Sequence, residues 1–150
     1  MNREPLQHTA LILISSGFDE ESIVACLKKL RGSGLEAKLV GQTAGLLVGG
    51  HGLTVRPDMT LGSLESQKGY RLVVLPGSAQ STRPMLADPR VHQLFSETTR
   101  AGGQVAVMGT AEAAFVQAGL LEFLAGSSVL VQGRQNTTAF VNELVHLSVT

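Results

Sequence analysis

Thr9-Ala10-Leu11-Ile12-Leu13-Ile14-Ser15-Ser16-Gly17-Phe18-Asp19-Glu20-Glu21 is the stretch that decides the fold. Its aliphatic run, Thr9 to Ile14, does not alternate apolar with polar residues, which is the pattern of a parallel strand covered on both faces. Ser15 to Phe18 turns the chain. Asp19 stands as an N-cap, and Glu20 and Glu21 lie where the positive end of a helix favours acids. Ile23, Cys26, Leu27 and Leu30 then recur at i, i+3, i+4 and i+7, an apolar stripe that ends around Gly32 to Gly34. This is one complete βα unit.

The same grammar repeats downstream. Glu36 to Gly41 reads as a second strand, and Leu46 to Val48 and Leu53 to Val55 flank Gly49-Gly50-His51-Gly52 as a small hairpin. Leu72 to Leu75 is a buried strand stopped by Pro76-Gly77-Ser78, and Pro84 to Ala87 is expected to form a short helical turn. Asp88-Pro89 supplies an N-cap with proline at the first helical position, and Val91, Leu94, Phe95 and Thr98 form the stripe of the helix that follows. Gln104 to Met108 is another strand, and a helix over Ala111 to Ala118 follows it after almost no loop. Ser128 to Gln132 reads as a last strand, and Asn136 to Leu147 as a closing helix with Phe140, Leu144 and Leu147 on one face. Alternating βα units predict an α/β fold, a mostly parallel sheet between helices with right-handed crossovers.

Composition narrows the function. With 43% apolar and 16% charged residues in 150, the chain is read as one core-forming domain. No Trp and one Tyr argue against aromatic platforms for single-stranded nucleic acid. Twelve Lys and Arg balance twelve Asp and Glu, so no basic field exists to displace counterions from a phosphate backbone, and no nucleic-acid partner is expected. The near-zero net charge leaves little repulsion between copies. The single cysteine, Cys26, excludes an intramolecular disulfide and suits a reducing cytoplasm. The apolar run from Ala10 to Ile14 is too short for a signal-peptide core or a membrane span, so neither export nor membrane insertion by that route is expected.

Chemistry in open α/β sheets gathers where strands end and helices begin. Ser15 to Ser22, Leu75 to Ser78 and Met108 to Glu112 are such places. In order and spacing these segments resemble the ThiJ/PfpI superfamily, together with Gly52-Leu53-Thr54-Val55-Arg56-Pro57-Asp58 and the run from Gly103 to Leu121. The resemblance implies a flavodoxin-like three-layer αβα sandwich with a small β-hairpin, usually assembled as dimers or larger oligomers. In that family the elbow after the Gln104 to Met108 strand presents a cysteine, and a carboxylate in the first turn of the first helix hydrogen-bonds it. The matching positions here are Gly109 and Ser22, so the resemblance implies a site without its nucleophile or its acid. Glycine adopts positive φ at little steric cost, which would keep the sharp turn without the chemistry.

The remaining pocket positions are Gly77, Ser78 and Thr110, read as a turn glycine, a turn hydroxyl and an N-cap. The amides following Gly77 and Gly109 could still form an anion-binding nest, since relatives use these positions as an oxyanion hole. Asp19 and Glu20 would repel a phosphate at the first helix, which disfavours flavin. Cys26 is read as core packing and Glu112 as support for a helix start. His8, His51, His92 and His146 are read as surface or packing residues. No metal or cofactor is expected. These readings lead to a catalytically silent domain acting as a binding, assembly or stabilising module, a cytoplasmic homodimer with a possible small-molecule or anion ligand. The alternative is a divergent hydrolase, glyoxalase, deglycase or amidotransferase-like enzyme using Thr110 or Ser78, or a small-anion sensor.

Overall fold

The strand β1 (Gln7–Leu13) runs through the middle of the sheet, and Ala10, Leu11, Ile12 and Leu13 are all buried because helices cover both of its faces. The structure, a computed structural model, describes residues 7–64, 69–124 and 128–149. β1 pairs in parallel with β2 (Glu36–Gly41) on one side and β6 (Tyr70–Leu75) on the other. β5 (Met59–Thr60) extends the sheet beyond β2, and β7 (Gln104–Val107) and β8 (Val129–Val131) extend it beyond β6. The order is β5-β2-β1-β6-β7-β8, all parallel. The separate hairpin of β3 (Leu47–Val48) and β4 (Thr54–Val55) pairs Leu47 with Val55 and Val48 with Thr54.

Successive strand side chains divide between two cores. Ala10, Ile12, Leu72, Val74 and Ala106 face Ile23, Cys26 and Leu30 of α1 (Glu20–Gly32) and Phe140 and Leu144 of α6 (Thr137–Val149). Leu11, Leu13, Val73, Leu75, Val105 and Val107 face Met85 of α2 (Ala79–Leu86), Phe95 of α3 (Pro89–Arg100) and Phe115 of α4 (Ala111–Gln117). The result is the flavodoxin-like three-layer sandwich with its small hairpin. Because the chain builds outward from β1 to β2 and β5 before crossing to β6, the strand order reverses beside β1, and a crevice opens at the carboxyl ends there.

Two local readings are corrected, at Pro84 to Ala87 and at Leu147, and two short elements absent from the sequence reading are added. The short turn expected at Pro84 to Ala87 is the end of the longer α2, which starts earlier because Ser78 caps it and Ser81 completes the capping box; Pro84 lies inside this helix. β5 has two residues and no apolar run to announce it. The helix α5 (Leu120–Phe123) restarts after Gly119, whose φ of 72° breaks the run from α4. Leu147 is 38% exposed, because the buried stripe of α6 runs through Phe140, Val141, Leu144 and Ser148 and leaves Leu147 at its margin.

Candidate functional site

The turn from β7 into α4 is as abrupt as its sequence requires. Met108 N–H donates to Leu75 O at 2.9 Å, Ala111 N–H closes back on Met108 O at 3.1 Å, and Gly109 between them has φ of 54°. A Cβ on Gly109 would have Gly77 Cα, 3.8 Å away, as its nearest neighbour, so there is room for a side chain and only the left-handed backbone favours glycine. Beneath the elbow, the thiol of Cys26 lies 3.5 Å from Met108 Sδ. Cys26 is fully buried, and burial pushes its thiol up to about 12. It is a packing residue below the crevice and does not open into it.

The crevice has a volume of about 350 Å³. Gly17, Phe18 and Asp19 border it after β1, Gly77 and Ser78 after β6, Gly109 and Thr110 after β7, and Gly50 and His51 from the hairpin tip. The structure therefore brings together the expected Gly77, Ser78, Gly109 and Thr110. It does not bring Ser22 to the surface of the crevice: Ser22 is buried behind Asp19 and its hydroxyl donates to Asp19 Oδ2. Asp19 sits at the N-cap position without making a side-chain cap bond, so its carboxylate faces the crevice. A Cβ on Gly77 would lie 3.8 Å from Asp19 Oδ2, a measure of how near this acid is to the elbow.

The hydroxyls have structural work. Ser78 Oγ accepts Ser81 N–H at 3.4 Å as the N-cap of α2, which corrects its reading as a simple turn hydroxyl. Thr110 makes no cap bond to its own helix; its Oγ1 instead accepts Ala79 N–H at 3.0 Å, joining the elbow to the start of α2. The amides are similarly engaged. Gly109 N–H donates to Gln132 Oε1 at 2.9 Å, and Ser78 N–H donates to Ser81 Oγ at 3.2 Å. Gln132 is itself held by Nε2 donating to Gln135 O at 3.0 Å. Of the two amides read as an anion nest, only Thr110's has no partner among the described residues.

Three residues missed at the sequence level complete the site. His51 comes from the hairpin because Glu20 Oε2 accepts the N–H groups of His51 and Leu53 at 2.6 and 3.0 Å. Gly50 N–H to Phe18 O at 3.0 Å and Gly17 N–H to Val48 O at 2.8 Å fasten the same tip to the loop after β1. Gln132 arrives from the end of β8, and Asp19 turns its carboxylate inward from the start of α1. The one available signal was the glycine run around His51, whose lack of side chains permits the close approach. His92 lies elsewhere, with Nε2 2.6 Å from Leu86 O. Among the described residues no three His, Cys, Asp or Glu side chains converge as metal ligands, and no helix is long and apolar enough to cross a membrane.

Comparison with known proteins agrees with this architecture. Residues 8–140 match the model of the DJ-1/PfpI family. The structure of a ThiJ/PfpI domain protein from Brachyspira murdochii superposes with a TM-score of 0.76 at 16% identity, covering 95% of this chain and 97% of that one. Drosophila melanogaster DJ-1beta gives 0.78 at 17% identity over 97% of this chain and 92% of that one. A two-domain protein from Anabaena variabilis, with DJ-1/ThiJ/PfpI-like and ferritin-like domains, gives 0.67 at 18% identity over 82% of this chain and 39% of that one. At such identities the likeness is one of fold. No curated protein matches the chain.

Proposed function

Because the chain belongs to the DJ-1/PfpI family, we propose that it is a catalytically silent member, a binding, assembly or stabilising module that works in the cytoplasm as a homodimer. The observation that carries this reading is Gly109. At the position where the family resemblance implies a cysteine, the elbow has no side chain, and its N–H is given to Gln132. A nucleophile needs a thiol or hydroxyl aimed at the substrate and free donors for the oxyanion. The only thiol is buried, the hydroxyls of Ser78 and Thr110 accept helix-start amides, and the Ser78 amide goes to Ser81. For dimerisation, Leu46, Val48 and Leu53 of the hairpin and Val24, one turn beyond Glu20 on α1, are exposed apolar residues on neighbouring elements.

A second reading draws support from the crevice itself. Asp19 and His51 border the same space as Ser78 and Thr110, the residue types that a hydrolase, deglycase or amidotransferase-like enzyme would employ. The silent reading stands first because those hydroxyls already serve the start of α2. Purified protein assayed with dicarbonyl, peptide and amide substrates should give no turnover above background. Turnover lost in Thr110→Ala or Ser78→Ala would establish the enzyme instead.

A further inference from the structure

Resting on the reading of the crevice as a binding site, we infer that its ligand is a small protonated amine and not an anion. An anion at an elbow is held by free backbone N–H groups and compensating positive charge. Here Gly109 N–H is spent on Gln132 Oε1, and Gln132 is mostly buried and pinned by its own amide to Gln135 O. Ser78 N–H is spent on Ser81 Oγ. The hairpin tip that overhangs the crevice has also used its donors: Gly50 N–H goes to Phe18 O, and His51 N–H goes to the Glu20 carboxylate. Among the described residues no Lys or Arg borders the space.

What the crevice offers is an acceptor. Asp19 is exposed, and the Ser22 hydroxyl occupies only its Oδ2, so Oδ1 remains to receive a charged donor. The hollow next to it shares Gly109 and Thr110, holds about 500 Å³, and adds a second carboxylate, Glu112, with Ala113 and Val116 as an apolar shelf and again no cation among the described residues. Val116 is 49% exposed there. An ammonium group on Asp19 with a short hydrocarbon tail on Val116 would pair charge with charge and apolar surface with apolar surface. A carboxylate or phosphate in the same place would face Asp19, with the amides of Gly109 and Ser78 engaged and the Thr110 amide alone left to hold it.

The test uses the whole chain and two series of probes: primary alkylamines from ethylamine to hexylamine, and acetate, succinate and inorganic phosphate. Thermal unfolding and amide NMR shifts are read for each. Amines should raise the Tm and shift the amides of Asp19, Gly50, His51 and Thr110, more strongly as the tail lengthens, and Asp19→Asn should weaken this binding at least tenfold. The wild-type NMR shifts locate the ligand even if the variant folds poorly. Anions that bind while amines do not would overturn the ligand class and leave the crevice standing as a binding site. Silence from both series would overturn the binding reading and this inference with it, whereas turnover of an amine would overturn only the claim of catalytic silence.

Discussion

Glu20, the first residue of α1, holds the backbone N–H of His51 at 2.6 Å with the same oxygen that takes Leu53 N–H at 3.0 Å. A residue whose local role is to complement a helix dipole thus also acts across the fold. It bends the tip of the hairpin over the crevice and makes His51 part of its rim. The approach is close enough that a Cβ on Gly49 would fall 2.6 Å from Glu20 Cγ and 2.8 Å from the ring of the buried Phe18.

Gly49→Ala should therefore lift the tip away from α1. Glu20 can swing aside, but the Phe18 ring is fixed in the core, so a cost of about 1–3 kcal/mol is expected. Urea unfolding measures it. Limited proteolysis should show faster cleavage between Val48 and Leu53 than in the wild type, and Glu20→Ala should reproduce the cleavage at smaller cost in stability. Equal cleavage rates in all three proteins would mean that the tip is held by something other than this contact.

The contrast with the sheet explains what a sequence can disclose. β1, β6 and β7 were legible because burial on both faces demands continuous aliphatic residues, and such runs cannot be confused with amphipathic helices of this length. β5 was not legible, since two residues paired through Val40 and Met59 need no pattern of their own. At the site, Gly77, Ser78, Gly109 and Thr110 could be found because each follows a strand end. Asp19 also follows a strand end, but its reading as a cap hid its place on the crevice. His51 and Gln132 were harder: Gln132 lies 23 residues from its partner Gly109 and His51 lies 31 from Glu20, and beyond the glycine run around His51 no local rule links them. Ser22 was misplaced for a related reason, because one step around the first turn decides whether a side chain faces the crevice or the core.

Cys26 should react slowly with thiol reagents in the folded protein. Its thiol is fully buried and held up to about 12 by desolvation, against an ordinary 9.0. A thiol that holds its proton so much more tightly presents about a thousandfold less thiolate at a given pH, before access is considered. Labelling with an aromatic disulfide at about pH 8 should be at least roughly a hundredfold slower in buffer than in denaturant. The linkage has a definite sign: between pH 9 and 12 the folded thiol keeps a proton that the unfolded one releases, so stability falls as pH rises through that window. Cys26→Ala should lose less stability than the wild type as pH rises from about 8 to about 10.

Asp88 gives a prediction at the acid end. Its carboxylate accepts Arg90 N–H as the cap of α3 at 3.0 Å and the Arg90 guanidinium at 2.8 Å, and the bond to that side chain is the main cause that holds its pKa down to about 2. A folded pKa below the unfolded 3.8 means stability that is complete above about pH 4 and lost as pH falls toward 2. Asp88→Ala should cost about 1 kcal/mol at pH 7, and the difference from the wild type should shrink below about pH 4. Asp88→Asn keeps a capping oxygen and should lose less at pH 7. Thermal melts of the three proteins from about pH 2.5 to pH 7 would check this, and parallel curves would contradict it.

Gly109→Cys separates the loss of a nucleophile from the loss of its surroundings. The position has space, with nothing nearer to a Cβ than 3.8 Å, but its φ of 54° is disfavoured for any L side chain, so the variant should fold at a cost of about 1–2 kcal/mol. Its new thiol, on the border of the crevice, should label much faster than Cys26. Turnover of dicarbonyl, peptide or amide substrates should still be absent, because the amides of residue 109 and Ser78 remain donated to Gln132 and Ser81 and an oxyanion would find only the Thr110 amide free. Adding Gln132→Ala releases the first of those donors, and any gain in activity should appear only in the double variant. A single Gly109→Cys protein with strong, thiol-dependent turnover would show that the engaged amides are no barrier and that the missing sulfur alone keeps the wild-type site silent.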